Sequence, residues 1–525
     1  MITLTAQQIA DATSGTLVGI APQHAGTTTA RFATTDSREV EAGTLFLAKP
    51  GETTDGHLFV PAAFEQGATL ALVEREVTDA AGNAYPQIVV DDVVLGMGAL
   101  AKFCIEQMRA NGELTIVGIT GSAGKTTTKD LLAAIFETAG NTIAPVGSYN
   151  GEVGVPLTIF RADEQTRFLV SEMGADHVGN IEYLANIVKP DHGVILKVGT
   201  AHAGEFGGVD NIEKTKGELA EGSTQTLALN DDDYRVRRMI SRATVPTTYF
   251  GVGEKNHDGG NESRIFAENL RTGASGCPEF TLHFPSGETF EIVSKLIGEH
   301  HVYNLLAAAT GAYQAGIAPE VIAEKLNSSG AVSRWRMQRT DRADGVTVIN
   351  DAYNANPESM AAALRALAQI GRESQRRTWA VLGAMLELGD VSVEEHDRLG
   401  RHVVRLNISK LIAVGDVAQP IYNAAHLEGS WGNEATWVKS AEEAFELIKR
   451  QAEPGDIILF KSSNGAGLGK LGEQVATTQT LLESADQRPS SQWLSAGDQV
   501  GTVNSDSGHQ TMPENVETDD TREGK

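Results

Sequence analysis

The most informative segment of this 525-residue chain is Ile116-Val117-Gly118-Ile119-Thr120-Gly121-Ser122-Ala123-Gly124-Lys125-Thr126-Thr127-Thr128. The apolar run from Leu114 to Ile119 predicts a buried parallel strand, and the composition from Lys125 through Phe136 predicts a helix. A strand, a glycine loop and a helix form the geometry in which backbone N–H groups and a helix N-terminus hold a polyphosphate. The stretch therefore predicts a nucleoside triphosphate site.

The match to the general phosphate-binding pattern is incomplete, because that pattern has glycine where Ile119 stands. The sequence has the shorter form Thr-Gly-x-x-Gly-Lys-Thr-Thr-Thr. We expect Lys125 to reach the terminal phosphates and the Thr126 hydroxyl to bind Mg²⁺. The remaining nucleotide contacts are expected from the loop and first turn: Gly121, Ser122, Ala123, Gly124 and Thr127. A chance glycine turn before a helix is the alternative.

Composition excludes several classes of protein. A net charge of −26 argues against nucleic-acid binding as the main activity. No apolar run approaches the roughly 18 residues needed to span a membrane, so no membrane insertion is expected. The first residues lack the basic flank and apolar core of a secretory signal. Cys104 and Cys277 lie far apart without metal-ligand spacing. Together these features predict a protein of the reducing cytosol.

The predicted fold class is α/β, with three domains expected from the length. A small N-terminal α/β domain covers residues 1–95, and strands alternating with longer helices predict a central parallel-sheet domain over residues 96–325. A third, Rossmann-like α/β domain covers residues 326–483. Residues 484–525 lack apolar periodicity and contain eight acids and three bases. They predict a disordered acidic tail.

Polar residues at predicted strand ends suggest a metal site beside the phosphate loop. The strands predicted over residues 168–173 and 193–198 belong to the same sheet as the loop, and ligands bind beyond the carboxyl ends of such strands. Glu172 is therefore a candidate Mg²⁺ ligand, and His202 a second one. A structural role is the alternative for a lone histidine.

Other candidates have an equally plain structural explanation. Lys216 is by default a solvated lysine on a helix. Asn230 and Asp232 follow a strand and either accept hydrogen bonds from adenine or ribose, or form a turn. Ser37 and Arg38 suit a phosphate or uracil contact, because arginine offers a planar fork of donors, but an ordinary turn is the alternative.

In the third domain, three predicted strands run into polar or glycine-rich loops. Strands at 346–349, 378–382 and 457–460 lead into loops at 350–357, 383–389 and 461–465. Because the strand ends of a parallel sheet share an edge, these loops predict one rim that carries a site.

The chain resembles the Mur ligase family, the ATP-dependent amide-forming enzymes of peptidoglycan precursor synthesis. The resemblance covers residues 1 to about 480 and rests on Thr-Gly-Ser-Ala-Gly-Lys-Thr-Thr-Thr (120–128), Glu-Met-Gly-Ala (172–175), Asp-Ala-Tyr-Asn-Ala-Asn-Pro (351–357) and Leu-Gly-Ala-Met-Leu-Glu-Leu-Gly (382–389), with His396 beyond. The last two motifs resemble the branch that adds a dipeptide. The arginine-containing loop of the branch that adds a diamino acid is not found in the sequence.

The resemblance implies a reaction and its cofactors. ATP and Mg²⁺ would convert the terminal carboxylate of UDP-MurNAc-tripeptide into an acyl phosphate, and the amine of D-alanyl-D-alanine would attack it, giving UDP-MurNAc-pentapeptide, ADP and phosphate. The residues implied to be catalytic are Lys125, Glu172, His202, Lys216 and Arg336. The implied metal ligands are Thr126, Glu172, His202 and Lys216, the last as a carbamylated lysine whose CO₂ adduct is an anion.

The resemblance also implies the remaining contacts. Adenine, ribose and phosphates would be bound by Asn230, Asp232, Asn304, Arg336 and Asp351, in addition to the phosphate loop. The incoming dipeptide would contact Tyr353, Asn354, Asn356, Lys461 and Ser463, and the UDP substrate would contact Ser37, Arg38 and Asn150. Sites divided among three domains imply domain closure during turnover. A monomer is expected.

Some positions depart from the family pattern: Gly151, His301, Asn350, Ala384 and Asn464. None is a phosphate or metal ligand in the implied scheme. Three other hypotheses are a relative that adds a different amino acid or extends a folate, a nucleotide-driven switch without ligase chemistry, and a catalytically silent binding protein. Meso-diaminopimelate and lysine are equally compatible with the sequence as the third residue of the tripeptide.

Overall fold

The computed structural model describes residues 1–51, 54–199, 206–255, 263–429, 434–479 and 481. These residues belong to one compact unit, Met1–Leu482. The predicted tail at 484–525 and the candidate ligand His202 lie outside the described residues. In the part that is described, every helix is too short or too polar to cross a lipid bilayer.

The N-terminal segment is a small mixed sheet with helices against it. Its sheet has the strand order β2-β7-β6-β5-β4, and β1 pairs with β3 as an antiparallel ribbon. Helix α1 begins at a capping box, in which Thr5 and Gln8 each bond the other's backbone N–H. The elements are β1 (Leu4–Thr5), α1 (Ala6–Thr13), β2 (Thr16–Val18), β3 (Thr29–Ala30), β4 (Phe32–Thr34), β5 (Thr44–Leu47), α2 (Val60–Glu65), β6 (Ala68–Val73) and β7 (Gln87–Val89).

The central segment is organised on a sheet with the strand order β16-β15-β14-β13-β12-β11-β8-β10-β9. Its elements are α3 (Val93–Asn111), β8 (Thr115–Thr120), α4 (Lys125–Phe136), β9 (Thr142–Ile143), α5 (Gly154–Ile159), β10 (Phe168–Glu172), α6 (Asn180–Val188), β11 (His192–Ile195), α7 (Val209–Gly222), β12 (Thr226–Asn230), α8 (Tyr234–Arg237), β13 (Thr247–Val252), β14 (Ser263–Thr272), β15 (Pro278–His283), β16 (Thr289–Val293), α9 (His301–Gln314) and α10 (Pro319–Ser328). The helix predicted from Lys125 to Phe136 is present in the structure with the same bounds.

Helices cover both faces of this sheet. Val117 packs in one apolar cluster with Leu132 of α4 and Leu305 of α9, whereas its neighbour Ile116 packs on the opposite face with Leu184 of α6. Successive side chains of a strand point to opposite faces, so a strand covered on both faces is apolar throughout. This explains the continuous apolar run that precedes the phosphate loop.

The parallel sheet continues into an antiparallel edge, which the sequence analysis did not predict. Strands β14, β15 and β16 pair antiparallel in turn. Buried and partly exposed residues alternate along β15, as expected for a strand with one covered face. The central sheet is therefore mixed rather than purely parallel.

The C-terminal segment has a second sheet, with the strand order β17-β18-β22-β19-β20-β21. Strands β18, β22 and β19 are parallel neighbours, so the loops that follow them share one edge, as predicted. The elements are β17 (Gln338–Asp341), β18 (Thr347–Asn350), α11 (Pro357–Ser374), β19 (Thr378–Leu382), α12 (Ser392–Arg405), β20 (Lys410–Val414), α13 (Gln419–Glu428), β21 (Ala435–Val438), α14 (Ala441–Gln451), β22 (Ile457–Lys461) and α15 (Leu468–Thr477).

Both predicted boundaries between the ordered segments fall inside helices. The boundary after residue 95 lies in the first turn of α3, and the boundary after residue 325 lies in α10. Apolar side chains of α1, α3 and the central sheet share one cluster, which includes Ile9, Leu100 and Leu169. The division into three functional domains stays a prediction.

Candidate functional site

The phosphate loop lies between the end of β8 and the start of α4. Gly124 is the residue before the helix, with φ of +86°, a left-handed conformation that favours glycine. A Cβ atom at this position would lie 2.2 Å from Oδ1 of Asn304. The glycine therefore lets the first turn of α9 approach the loop, which places the predicted nucleotide residue Asn304 against it.

The loop is held by the chain that follows β11. Ser122 N donates to the carbonyl of Lys197 (2.8 Å), and Gly199 N donates to Ser122 Oγ (2.9 Å). Lys125 Nζ donates to the carbonyl of Gly121 (2.8 Å). Burial lowers the pKa of Lys125, and the Glu172 carboxylate partly opposes this effect. The lysine thus folds back over the loop that would hold a phosphate.

Three polar side chains meet at the first turn of α4. Thr126 Oγ1 lies 2.9 Å from Ser148 Oγ, and Arg336 Nη2 lies 3.3 Å from each of these oxygens. Thr126 belongs to the phosphate loop, Ser148 to the loop before α5, and Arg336 to the C-terminal segment. The structure therefore brings the predicted residues Thr126 and Arg336 together.

Glu172 ends β10 at the same sheet edge as the phosphate loop, as predicted. Its side chain is 1% exposed, and Asn150 Nδ2 donates to Oε1 at 2.8 Å. Its Oε2 atom is buried and has no hydrogen-bond partner among the described residues. A buried carboxylate oxygen without a donor suits a cation. Asn150, predicted to contact substrate, contacts this carboxylate.

Lys216 is buried in α7 and is not the solvated lysine that its sequence context suggests. It is 3% exposed, and its Nζ lies 5.7 Å from the centroid of the Phe206 ring. Burial, followed by the charge of Lys125, lowers the pKa of Lys216 to about 7. A neutral amine reacts with CO₂, so the environment fits a carbamate.

The predicted adenine and ribose residues are engaged with protein groups. Asn230 Nδ2 donates to the Leu196 carbonyl at 2.8 Å, and Asp232 accepts from Val252 N at 2.7 Å and pairs with Lys255. Asp232 N also donates to Asn230 Oδ1 at 3.0 Å, the local bond of a turn, and the roles of both residues in adenine or ribose binding stay predictions.

Asn304 is tied to its neighbour in the first turn of α9. Asn304 Nδ2 donates to Nδ1 of His301 at 2.9 Å. His301 is 5% exposed, and burial lowers its pKa well below the usual value. Its Nε2 atom is buried without a hydrogen-bond partner in the described part of the chain. A neutral His301 that accepts at Nδ1 carries its proton at Nε2, and no acceptor among the described residues takes it.

The loop after β18 joins the C-terminal rim to Arg336. The Tyr353 ring centroid lies 4.3 Å from Cζ of Arg336. Asp351 accepts from Met337 N at 3.0 Å, and its second oxygen lies 2.6 Å from Nζ of Lys461. Four predicted site residues, Arg336, Asp351, Tyr353 and Lys461, therefore form one connected group.

The remaining predicted dipeptide residues mainly support the loops. Asn356 caps α11 by accepting from Ser359 N at 2.8 Å. Lys461 is 2% exposed and also donates to the Asn354 carbonyl at 3.0 Å. Ser463 Oγ accepts from Leu386 N at 3.0 Å. Roles for Asn354, Asn356 and Ser463 in dipeptide binding stay predictions.

In the N-terminal segment, Ser37 and Arg38 lie in a 3₁₀ turn capped by Asp36. The Arg38 side chain is 86% exposed and forks onto the Asp36 carboxylate, with Nη2 to Oδ2 at 2.5 Å. Hydrogen bonds from Arg38 lower the pKa of Asp36 to about 2. The site that these residues were predicted to form for UDP stays a prediction.

Two residues near the phosphate loop were not predicted from the sequence as part of the site. Ser148 bonds Thr126 from a loop whose sequence, Gly147-Ser148-Tyr149-Asn150, has only its polarity as a signal. His301 was noted as a departure without a role. Among the described residues no group of three His, Cys, Asp or Glu side chains could hold a metal ion. The predicted ligands include a hydroxyl, a modified lysine and the undescribed His202.

Three family models match the chain one after another. Residues 29–104 match the description "Mur ligase family, catalytic domain", residues 119–312 match "Mur ligase middle domain", and residues 335–464 match "Mur ligase, glutamate ligase domain".

Full-length relatives and solved structures agree. A UDP-N-acetylmuramoyl-tripeptide–D-alanyl-D-alanine ligase of Mycobacterium tuberculosis is 40% identical over 516 residues, covering 91% of this chain and 99% of the relative. The Bacillus subtilis protein of that name is 32% identical over 474 residues, covering 90% of this chain and 98% of the relative. MurF from Acinetobacter baumannii has a TM-score of 0.77 at 31% identity, covering 90% of this chain and 99% of the other. MurF ligase from Thermotoga maritima in complex with ADP has a TM-score of 0.70 at 26% identity, covering 85% of this chain and 97% of the other. The chain belongs to the Mur ligase family.

Proposed function

We propose that the protein is an ATP-dependent ligase that joins D-alanyl-D-alanine to UDP-MurNAc-tripeptide. One observation carries the proposal: Arg336, from the segment with the predicted dipeptide loop, reaches Thr126 of the phosphate loop. A site shared in this way suits a reaction that needs both a nucleotide and an amine acceptor. The printed names of the relatives supply the identity of the two substrates.

The reaction begins by activating a carboxylate, which is a poor electrophile at neutral pH. A carboxylate oxygen of the tripeptide attacks the γ-phosphorus of ATP, and ADP leaves, so that an acyl phosphate forms. Two anions must approach each other in this step. Lys125 and Arg336 supply fixed positive charge at the loop, where charge develops on the transferred group.

Amide formation follows in the same site. The free amine of the dipeptide attacks the acyl carbon, a tetrahedral intermediate forms, and it collapses with loss of phosphate and a proton. Water would compete with the amine, so the acyl phosphate must be shielded while the amine is positioned. The group formed by Asp351, Tyr353 and Lys461 lies next to Arg336, which supports a role for these residues in shielding the acyl phosphate and positioning the amine.

The residues present fit Mg²⁺. The hydroxyl of Thr126 would hold it together with Oε2 of Glu172, which has no hydrogen-bond partner in the described part of the chain, and His202 and carbamylated Lys216 are the proposed ligands of a second ion. Bound Mg²⁺ neutralises phosphate charge during phosphoryl transfer. Asn150 orients Glu172, and Ser148 orients Thr126.

Further parts of the proposal rest on the family. Ser37 and Arg38 hold the UDP end of the substrate, and Asn230, Asp232 and Asn304 hold adenine and ribose. The protein acts as a monomer in the cytosol, and its product serves peptidoglycan synthesis, and through it cell shape and division.

The test is phosphate release by the purified protein with ATP, Mg²⁺ and UDP-MurNAc-tripeptide, with and without D-alanyl-D-alanine. Sustained phosphate release that requires both substrates, with UDP-MurNAc-pentapeptide detected by mass spectrometry, is the expected result. ATP turnover indifferent to both substrates would overturn the ligase assignment and support a nucleotide-driven switch. A preference for another amine would keep the reaction class and replace the acceptor.

A further inference from the structure

We propose that Tyr353 is a positioning residue for Arg336. Through it, the loop at residues 350–357, which we call the dipeptide-side loop, controls the phosphoryl-transfer step. The inference rests on the proposed ligase function and deepens it. It assigns Tyr353 a task in the first half-reaction, before any amine is bound, in addition to the dipeptide contact expected for this position.

The first observation is how the Arg336 guanidinium is held. Among the described residues no carboxylate pairs with it: its hydrogen bonds go to the two hydroxyls of Thr126 and Ser148, and its buried Nε has no partner there. The Tyr353 ring, with its centroid 4.3 Å from Cζ of Arg336, is the contact on its flat side. A ring face attracts a cation and fixes the plane of a guanidinium.

The second observation is the backbone on both sides of Arg336. Trp335 has φ of +59° and Met337 has φ of +50°, and large side chains rarely adopt this left-handed conformation. A conformation of this kind persists only where the surroundings impose it. Here the Trp335 ring packs against Gly469 in the space that a larger residue would fill, since a Cβ at this position would lie 2.5 Å from the indole.

The third observation is that the dipeptide-side loop is hydrogen-bonded to the chain on both sides of Arg336. Tyr353 N donates to the Trp335 carbonyl at 3.3 Å, and Met337 N donates to Asp351 at 3.0 Å. The two bonds bracket Arg336, so residues 335–337 and 351–353 are held against each other. The conformation of one segment therefore depends on that of the other.

The loop also reaches the opposite side of the site. The Tyr353 hydroxyl lies 3.9 Å from the position of a Cβ on Gly147, the residue before Ser148. Lys461 fixes the base of the loop through Asp351 and the Asn354 carbonyl. A shift of the loop when the amine binds would move the ring that orients Arg336, and with it the charge directed at the phosphoryl group.

The experiment isolates the first half-reaction. Protein is given ATP, Mg²⁺ and UDP-MurNAc-tripeptide without dipeptide, and the acyl phosphate is trapped by hydroxylamine, whose nitrogen takes the acyl carbon as phosphate leaves. Hydroxamate formation is compared for the wild type, Tyr353→Phe and Tyr353→Leu. The phenylalanine variant keeps the ring face, whereas the leucine variant removes it. Melting temperature and ATP binding show whether each variant is folded.

We expect Tyr353→Leu to lower the rate of hydroxamate formation about tenfold, with the KM for ATP nearly unchanged, and Tyr353→Phe, which keeps the ring face, to lower it by a clearly smaller factor. In an Arg336→Lys background the same leucine substitution should have little further effect, because the two residues act together. Wild-type hydroxamate formation by folded Tyr353→Leu, with only the KM for the dipeptide raised, would overturn the inference. If the wild type itself forms no hydroxamate and no pentapeptide, the proposed function fails and the inference with it.

Discussion

Arg336 and Thr126 are separated by 210 positions in the sequence, yet Arg336 Nη2 lies 3.3 Å from Thr126 Oγ1. The contact joins the C-terminal segment to the phosphate loop. Because Thr126 is a proposed Mg²⁺ ligand, the guanidinium is located where phosphoryl charge would develop. In the proposed catalytic site, a residue from beyond the central sheet thus contacts the phosphate loop.

Replacing this arginine tests its role in catalysis. Arg336→Lys keeps a positive charge but removes the planar fork and the stacking surface. We expect kcat for pentapeptide formation to fall by about 10²- to 10³-fold, the typical loss when one preorganised donor to the transition state is removed. The neighbouring Arg334→Lys is the control, since Arg334 is 74% exposed and pairs with Glu473. Equal losses in both variants would contradict a specific role for Arg336.

Gly124 tests the packing of α9 on the phosphate loop. In Gly124→Ala the new Cβ would collide with Asn304, which lies 2.2 Å from its position, so we expect at least a tenfold loss of ATP affinity by calorimetry. Gly82→Ala is the matched control: Gly82 has φ of +85°, like Gly124 with +86°, but no atom of the described residues lies within 4 Å of its Cβ position. The control should lose about 1 kcal/mol of unfolding free energy and no ATP affinity. Unchanged ATP binding in Gly124→Ala would show that the close packing of Asn304 on the phosphate loop is not required for ATP affinity.

Lys216 predicts a dependence on pH and CO₂. Its pKa is lowered from 10.5 to about 7, so the amine is largely neutral above pH 7 and can form a carbamate. Activity should therefore decline as the pH falls through 7 and recover in part with added bicarbonate. With ¹³C-labelled bicarbonate, a carbamate signal is expected by NMR that Lys216→Ala lacks. The same signal in both proteins would exclude this residue as its source.

The same pKa shift affects stability with a definite sign. Between pH 7 and 10.5 the unfolded chain keeps a proton on Lys216 that the folded chain has released. The contribution of this residue to the free energy of unfolding therefore rises with pH across that window and is flat below it. Urea titrations of the wild type and Lys216→Met, with CO₂ excluded, measure the difference. A contribution that rises with pH only below 7 would contradict the shift.

Lys461 and Asp351 form a buried ion pair at the C-terminal rim, 2.6 Å apart with side chains 3% and 14% exposed. Asp351→Asn leaves the ammonium without its countercharge and should cost about 3–5 kcal/mol of stability, measured by urea unfolding. The more exposed pair of Arg334 and Glu473 is the control, and Glu473→Gln should change stability by no more than about 1 kcal/mol. Similar losses in the two variants would show that burial of the first pair is not what matters.

The local elements and the family could be predicted from the sequence. The helix Lys125–Phe136, the strand ending at Glu172 and the shared edge of the three C-terminal strands follow from periodicity and from the geometry of parallel sheets. These features depend on neighbours in the chain or on a rule that holds for every parallel sheet.

Which side chains contact one another could not be predicted from the sequence and is seen in the folded chain. The pairing of Asn150 with Glu172, the stacking of Tyr353 on Arg336 and the burial of Lys216 depend on the path of distant segments. The physical reason is that periodicity encodes which face of an element is buried, whereas a contact between segments is fixed by how whole elements pack, and no local pattern records it.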